Sequence, residues 1–345
     1  FGNDVNTGED RENVSRALIE FDLKSATKIK NDFPNKSFKY FLNLFDAKPS
    51  ALSVSQSLFA YPISGSWTMG QGRLDDNPLT TEGCSWNFRF SKDEGTLWRP
   101  PISASGGNWF TGSGYEASQS LTHKTKDIRM DVTDIVNKWL DETIPNNGFI
   151  VKRSGSLGLI TTGSHDAEGN NTQLGSLSFF SSDTHTKFPP TLEVEWDDSV
   201  WNTGSLSPLS NTDIDDLVIY MKGLRTEYKE KSRAKFRLVG RTRFPEKTFD
   251  TTPSTLTVKY LPSGSSSGDG TFYSITDAET EDVIVPFGSG SKISCDSIGN
   301  YFNLDLNGYQ PERFYNLLFQ VVSGSGTNDE QKIFIDEGFT FKVSI

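Results

Sequence analysis

The sequence predicts an all-β protein made of two β-sandwich domains, with one short helix in the first. Three observations carry that expectation. The chain holds 25 Phe, 10 Tyr and 7 Trp alongside 30 Gly and 15 Pro, the composition of many short strands joined by tight turns. Its apolar residues mostly recur at every second position, the period of a half-buried strand. Helical spacing is found only around Met130 to Leu140, where Ile135, Val136, Trp139 and Leu140 share one stripe and Asp131 or Thr133 is placed to cap the first turn.

In chain order, the first strand is expected from Arg16, with Ala17, Ile19, Phe21 and Leu23 on one side and Leu18, Glu20 and Asp22 on the other. A second runs near Leu58 to Ile63, followed by an aromatic, glycine-rich region holding Trp67, Trp86, Trp98 and Trp109. After the helix, Asn146-Asn147-Gly148 is a turn signal leading into an apolar strand, Phe149 to Lys152. Leu192, Val194 and Trp196 alternate with Thr191, Glu193 and Glu195 in a strand that closes the unit. At 345 residues the chain is long enough for two separate cores. The expected division is a first domain over 1–198, a polar, turn-rich linker over 199–216 and a second domain over 217–345. That second domain shows short apolar strands with no helical stretch between them, and it ends on Phe339, Phe341, Val343 and Ile345 alternating with polar residues, so its terminus is expected to be docked.

Two resemblances extend this reading. Ser15 to Leu23, the Trp67 and Ser85-Trp86-Asn87-Phe88-Arg89 segments, the Gly106-Gly107 turn, Asp131 to Val136 with Trp139, the Asn-Gly-Phe strand, Phe179-Phe180-Ser181-Ser182 and Pro189 to Val194 follow one another in the order seen in the DNRLRE (disaggregatase-related repeat) domain. Over about residues 1 to 198 the chain resembles that family, which implies a β-sandwich of jelly-roll type found in microbial surface proteins and viral particles, with some carbohydrate-binding members. The family has a strand before its first Phe-Gly block, so a further strand is expected upstream of Phe1. Pro311 to Tyr315 followed by Leu317, Phe319 and Val321 resembles the corner of fibronectin type III and immunoglobulin-like domains, implying that the Tyr315 hydroxyl ties down its loop. Residues 205 to 345 are similar to C-terminal modules of structural proteins in T4-like cyanophages, on Arg233 to Phe249, Tyr273 to Ala278 and Asp282 to Phe287.

Charge and chemistry narrow the function. A net charge of −11 argues against a partner recognised through its phosphates, so no nucleic acid is expected. No apolar run approaches the roughly 18 residues of a membrane span, and no membrane partner is expected. Cys84 and Cys295 fall in different domains and are expected not to pair. His123, His165 and His185 have neither metal-site spacing nor a nucleophile elbow beside them, so no catalytic residue and no cofactor is assigned and the protein is read as a non-enzyme.

Three sets are candidate binding residues. Trp67, Trp86, Trp98 and Trp109 are expected first as core and loop-packing residues, with Trp98 and Trp109, flanked by Pro and Gly, the two better placed to be exposed and to stack on sugar rings. Asp166, Glu168 and Asn170 offer oxygen ligands at alternate positions for Ca²⁺, but without the glycine and distal glutamate of a calcium loop they also fit a solvated turn. Arg233, Lys235, Arg237, Arg241 and Arg243 form a basic cluster in an acidic chain, either a solvated strand face or a docking patch for an acidic neighbouring subunit. The expectation that results is a virion structural protein on the neck, tail or capsid surface of a tailed phage, contacting other virion proteins and its own copies. A secreted or cell-surface carbohydrate-binding protein is the alternative, with host-surface polysaccharide as its partner.

Overall fold

A computed structural model describes residues 2–3, 14–47, 56–71, 82–91, 93–98, 106–121, 127–153, 177–209, 217–244, 258–263, 269–323 and 331–345. The chain is all-β and divides into two compact units, Phe1–Val194 and Glu195–Ile345. No helix among the described residues is long and apolar enough to cross a membrane.

In the first unit β1 (Gly2–Asn3) pairs with β2 (Val14–Ser15), and two larger sheets follow. One contains β3 (Ala17–Ile19), β8 (Phe149–Lys152), β5 (Gln56–Pro62) and β6 (Ala117–Leu121), in that spatial order. The other runs β7 (Ile128–Asp131), β4 (Phe38–Leu44), β9 (Thr191–Trp196), and the division between the units falls inside β9. Strand β4 shows why the sheets face each other: Tyr40, Leu42 and Leu44 are buried while Lys39 is exposed, so period-two alternation gives one apolar side. Those residues meet Leu58 and Ala60 of β5 and Phe149 and Val151 of β8 in a common core.

The expected helix is α2 (Thr133–Leu140), and Ile135, Val136 and Trp139 are buried in that core, with the Trp139 and Phe149 rings edge-on at 4.5 Å. The Asp131 carboxylate accepts the Thr133 N–H at 3.0 Å, and the Thr133 hydroxyl accepts the Tyr40 N–H at 3.0 Å, fastening the start of the helix to β4. The Asn146-Asn147-Gly148 turn then sets β8 between its neighbours. Asn146 Nδ2 donates to Phe21 O at 2.9 Å, Asn147 Nδ2 donates to Ile63 O at 3.3 Å, and Gly148 has φ of +81° with its α-carbon facing the Ile19 carbonyl.

A second helix, α1 (Lys24–Asp32), was not expected from the sequence. Its only buried residue is Ala26, and it starts where the Asp22 carboxylate accepts the Lys24 N–H at 2.9 Å. The alternation read from Ala17 to Leu23 therefore ends as a strand at Ile19, although Phe21 and Leu23 still pack on the core.

The second unit is a sandwich of two sheets. One contains β10 (Ser207–Pro208), β14 (Lys259–Tyr260), β13 (Arg233–Thr242), β18 (Gly299–Asp305) and β17 (Ser294–Asp296), with β11 (Leu217–Lys222) also paired to β13. The other runs β12 (Glu227–Lys229), β20 (Gln331–Ser344), β19 (Arg313–Ser323), β15 (Gly270–Asp277), β16 (Val283–Val285). Aromatic rings join them: Phe302 of β18 stacks on Tyr273 of β15 at 4.1 Å and on its neighbour Phe236 at 5.1 Å. Burial pushes the Tyr273 phenol up to about 12. The Tyr315 hydroxyl donates to Gln310 O at 3.1 Å, the corner bond expected from Pro311 to Tyr315.

Two expectations change here. Part of the stretch read as linker is built into the second unit: Trp201 bridges Cys295, Ser207 and Pro208 pair with β14, and Leu209 is buried in its core. Residues 210–216 lie outside the described residues. The terminal alternation is buried through Phe341 and Val343, but Ile345 is 79% exposed because β20 ends at Ser344. Cys84 and Cys295 are both free, in different units.

Gly148→Ala should destabilise the first unit by more than about 1 kcal/mol, since a left-handed alanine alone costs about that much and the added methyl also meets the Ile19 carbonyl. Chemical denaturation measures it. In the second unit, Tyr315→Phe removes one hydrogen bond and should lower stability by about 1 kcal/mol in the same assay.

Candidate functional site

Every sheet in a sandwich has an inner face in the core and an outer face that must be hydrated or covered. In the first unit the outer face of the β3-β8-β5-β6 sheet is covered over β8 and the end of β5, while Ser118 and Ser120 of β6 are exposed. Strand β8 is buried on both sides, Phe149 and Val151 toward the sandwich core and Ile150 away from it. Ile150 joins Tyr61, Ile63, Trp98 and Trp109 in a separate apolar cluster, with Trp67 and Cys84 against it. The indoles are fixed by their N–H groups: Trp98 Nε1 donates to Ser85 O and Trp67 Nε1 to Asn147 O, both at 2.8 Å.

Trp98 and Trp109 are therefore only 3% and 4% exposed, which corrects the reading of them as open stacking faces. The neighbouring glycine serves close approach instead. Gly106, at φ of +100°, lies where a methyl would come within 2.7 Å of the Trp86 ring, and its carbonyl accepts from the Arg16 guanidinium. Buried cations complete this layer: the Arg16 guanidinium sits 4.7 Å from the Trp86 ring and 5.2 Å from Trp109, and the Lys152 ammonium lies 5.2 Å from Trp109.

In the second unit the β11-β13-β18 face is left to solvent and carries the basic cluster. Along β13, Ala234, Phe236 and Leu238 point into the core and Arg233, Lys235, Arg237, Val239 and Arg241 point outward. Register aligns Arg241 with Val218, Val239 with Tyr220 and Arg237 with Lys222 on β11, and Arg237 with Tyr301 on β18. The centre of the cluster is rigid. Asp296 of β17 accepts both ends of the Arg237 guanidinium, at 3.0 and 2.8 Å, and the Lys235 ammonium at 3.0 Å, while Lys235 lies 3.6 Å over the Tyr301 ring. The bond to Arg237, helped by Lys235 and the Ile298 N–H against a desolvation penalty, holds the Asp296 carboxyl well below the usual carboxylate range. Lys222, Arg233 and Arg241 form no ion pair among the described residues.

The other candidates do not join this face. Arg243 lies exposed beyond the end of β13, its carbonyl accepting from Arg241 at 3.5 Å. Asp166, Glu168 and Asn170 lie outside the described residues, and no group of metal-binding side chains occurs among those described. A cleft of about 290 Å³ at the start of α2 is lined by Lys39, Glu116, Asp131 and Asp134. Two of its acids already hold the fold: Asp131 accepts the Thr133 N–H, and Glu116 accepts the Tyr61 hydroxyl at 2.7 Å.

Sequence reading missed Tyr220, Lys222, Tyr301 and Asp296 as members of the basic face. The alternation in Leu217–Lys222 shows that Tyr220 and Lys222 share a side, but nothing in the order of residues shows which side of β13 they join. Comparison with known protein families, with curated proteins and with solved structures finds no match.

Two outcomes test this geometry. Trp98→Ala should lower the stability of the first unit by about 3 kcal/mol or more, as for other buried aromatics, in denaturant unfolding. For Asp296, a folded pKa below the unfolded value of about 3.9 means that its contribution is fully present above that range and drains away as pH falls through it. Asp296→Asn should thus cost about 1 kcal/mol at neutral pH and flatten the acid limb of a stability-against-pH profile.

Proposed function

We propose that this protein is a non-enzymatic structural component of a virus particle, an assembly or decoration module on the neck, tail or capsid surface of a tailed phage. The observation that carries the reading is where the available chemistry lies. It is concentrated on an exposed sheet face with a hydrogen-bonded Arg/Lys/Asp centre, an arrangement suited to docking another surface rather than to enclosing a small substrate. Two further points support it. The resemblance of the second unit is to cyanophage virion modules, and the DNRLRE jelly rolls that the first unit resembles occur in viral particles as well as in microbial surface proteins. The burial of Trp98 and Trp109 also removes the main argument for sugar stacking on the first unit.

On this reading Arg233, Lys235, Arg237 and Arg241 contact an acidic neighbouring subunit, and the partners are other virion proteins and copies of this chain. Peptide mass spectrometry of purified particles is the test. The protein is expected in many copies per particle and enriched with each purification step; recovery only as free protein in the culture medium overturns the reading.

A further inference from the structure

The second unit carries two exposed surfaces that complement each other and lie on different sheets. The first is the outer face of the β11-β13-β18 sheet, with an apolar centre of Val218, Tyr220 and Val239 between Arg241 on one side and Lys222 with Arg237 on the other. Tyr220 is 43% exposed. The second is the β15–β16 hairpin at the end of the opposite sheet, where Val283 and Ile284 are 60% and 43% exposed beside the exposed acids Glu279, Glu281 and Asp282. Val283 and Ile284 thus place two adjacent apolar side chains in solvent on the outermost strand of their sheet.

The hairpin is also held in shape. The Asp277 carboxylate accepts the N–H groups of Glu279 and Thr280 at 2.9 and 3.0 Å and is paired with Arg313 at 3.0 Å. The Asp277 N–H donates to Asp282 O at 2.9 Å, closing the turn, and the Thr280 hydroxyl donates to the Asp282 carboxylate at 3.0 Å. Glu281 adopts a left-handed conformation, φ of +60°, and forms no ion pair among the described residues. A preformed acidic knob loses little conformational freedom on docking.

We propose that the acidic, Val283/Ile284-bearing hairpin of one copy docks on the basic, Tyr220-centred sheet face of a second copy. The apolar pair covers Tyr220 and Val239, and Glu279 and Glu281 meet Arg241 and Lys222, the cations outside the Asp296 cluster. Because the two surfaces differ and belong to opposite sheets of one unit, the contact is heterologous: each copy offers one surface and leaves the other for the next, which builds a ring or a filament rather than a closed pair. Local charge favours a copy as the occupant, since the hairpin of this same chain offers exposed Glu279, Glu281 and Asp282 to a face that carries exposed Arg241 and Lys222. The inference deepens the particle-subunit reading by naming the partner of its basic face, and it rests on that reading's premise of many copies.

The experiment is sedimentation velocity on the full chain across protein concentration and ionic strength, with two double variants. Glu279→Lys/Glu281→Lys reverses the knob, and Lys222→Glu/Arg241→Glu reverses the face; all four side chains are exposed, and unchanged thermal melting confirms that each variant folds. The unaltered chain is expected to show species larger than the monomer at low ionic strength that dissociate at high salt. Each double variant alone is expected to sediment as a monomer, and an equimolar mixture of the two should recover the larger species, because each then supplies the partner of the other's reversed surface. A monomeric unaltered chain at low ionic strength overturns the proposal, as does association that either variant leaves intact or a mixture that stays monomeric. The particle reading fails separately: a chain that assembles in this way yet is absent from purified particles retains the contact and loses the virion, whereas a particle protein that is monomeric alone does the reverse.

Discussion

A β-sheet has two faces, and a two-layer sandwich buries only one of them. What happens to the other decides what each half of this protein can do. In the first unit the outer face of one sheet presents Tyr61, Ile63 and Ile150, too apolar to leave in water, and loops bearing Trp67, Trp98 and Trp109 lie across it. In the second unit the corresponding positions on β13 are Arg233, Lys235, Arg237 and Arg241, and that face is hydrated. One unit spends its aromatic residues on closing itself; the other keeps a charged surface available.

That difference also explains how charge is handled. Arg16 and Lys152 are 2% and 1% exposed, and their positive charge lies against indole faces, an environment that compensates for lost water. On the solvated face the Asp296 carboxylate is instead shared by Arg237 and Lys235, which fixes two long side chains that would otherwise sweep freely. A surface whose cations are already ordered loses less entropy on docking than a loose basic patch, and the flanking Arg241 and Lys222 retain their charge for a partner. The route from residue order to function thus runs through the alternation of β13 and the register of its two neighbours.

Much of the fold was legible in the residues because strand and helix periods are local. The α2 stripe of Ile135, Val136 and Trp139, the Asn-Asn-Gly turn and the Tyr315 corner each depend on residues within about ten positions of one another, and each is found where the spacing places it. Helix α1 was illegible for the same reason. It buries only Ala26 in a mostly polar stretch, and the strand-like alternation running up to Leu23 masks its start.

By itself, then, the sequence determined the all-β class, the position of the buried helix and the presence of a basic strand, because these follow from side-chain period and composition. Only the tertiary structure decided which aromatic residues are covered and which charges are neighbours. Trp98 and Tyr220 are both aromatic residues near glycine or charged residues, yet one is buried against Ile150 and its neighbours and the other exposed on a sheet. Burial depends on what packs against a residue from far along the chain: Trp98 joins Ile150 across more than fifty residues, and Arg237 meets Asp296 across 59. No local pattern encodes those pairings, since register and layer order are set when distant strands meet.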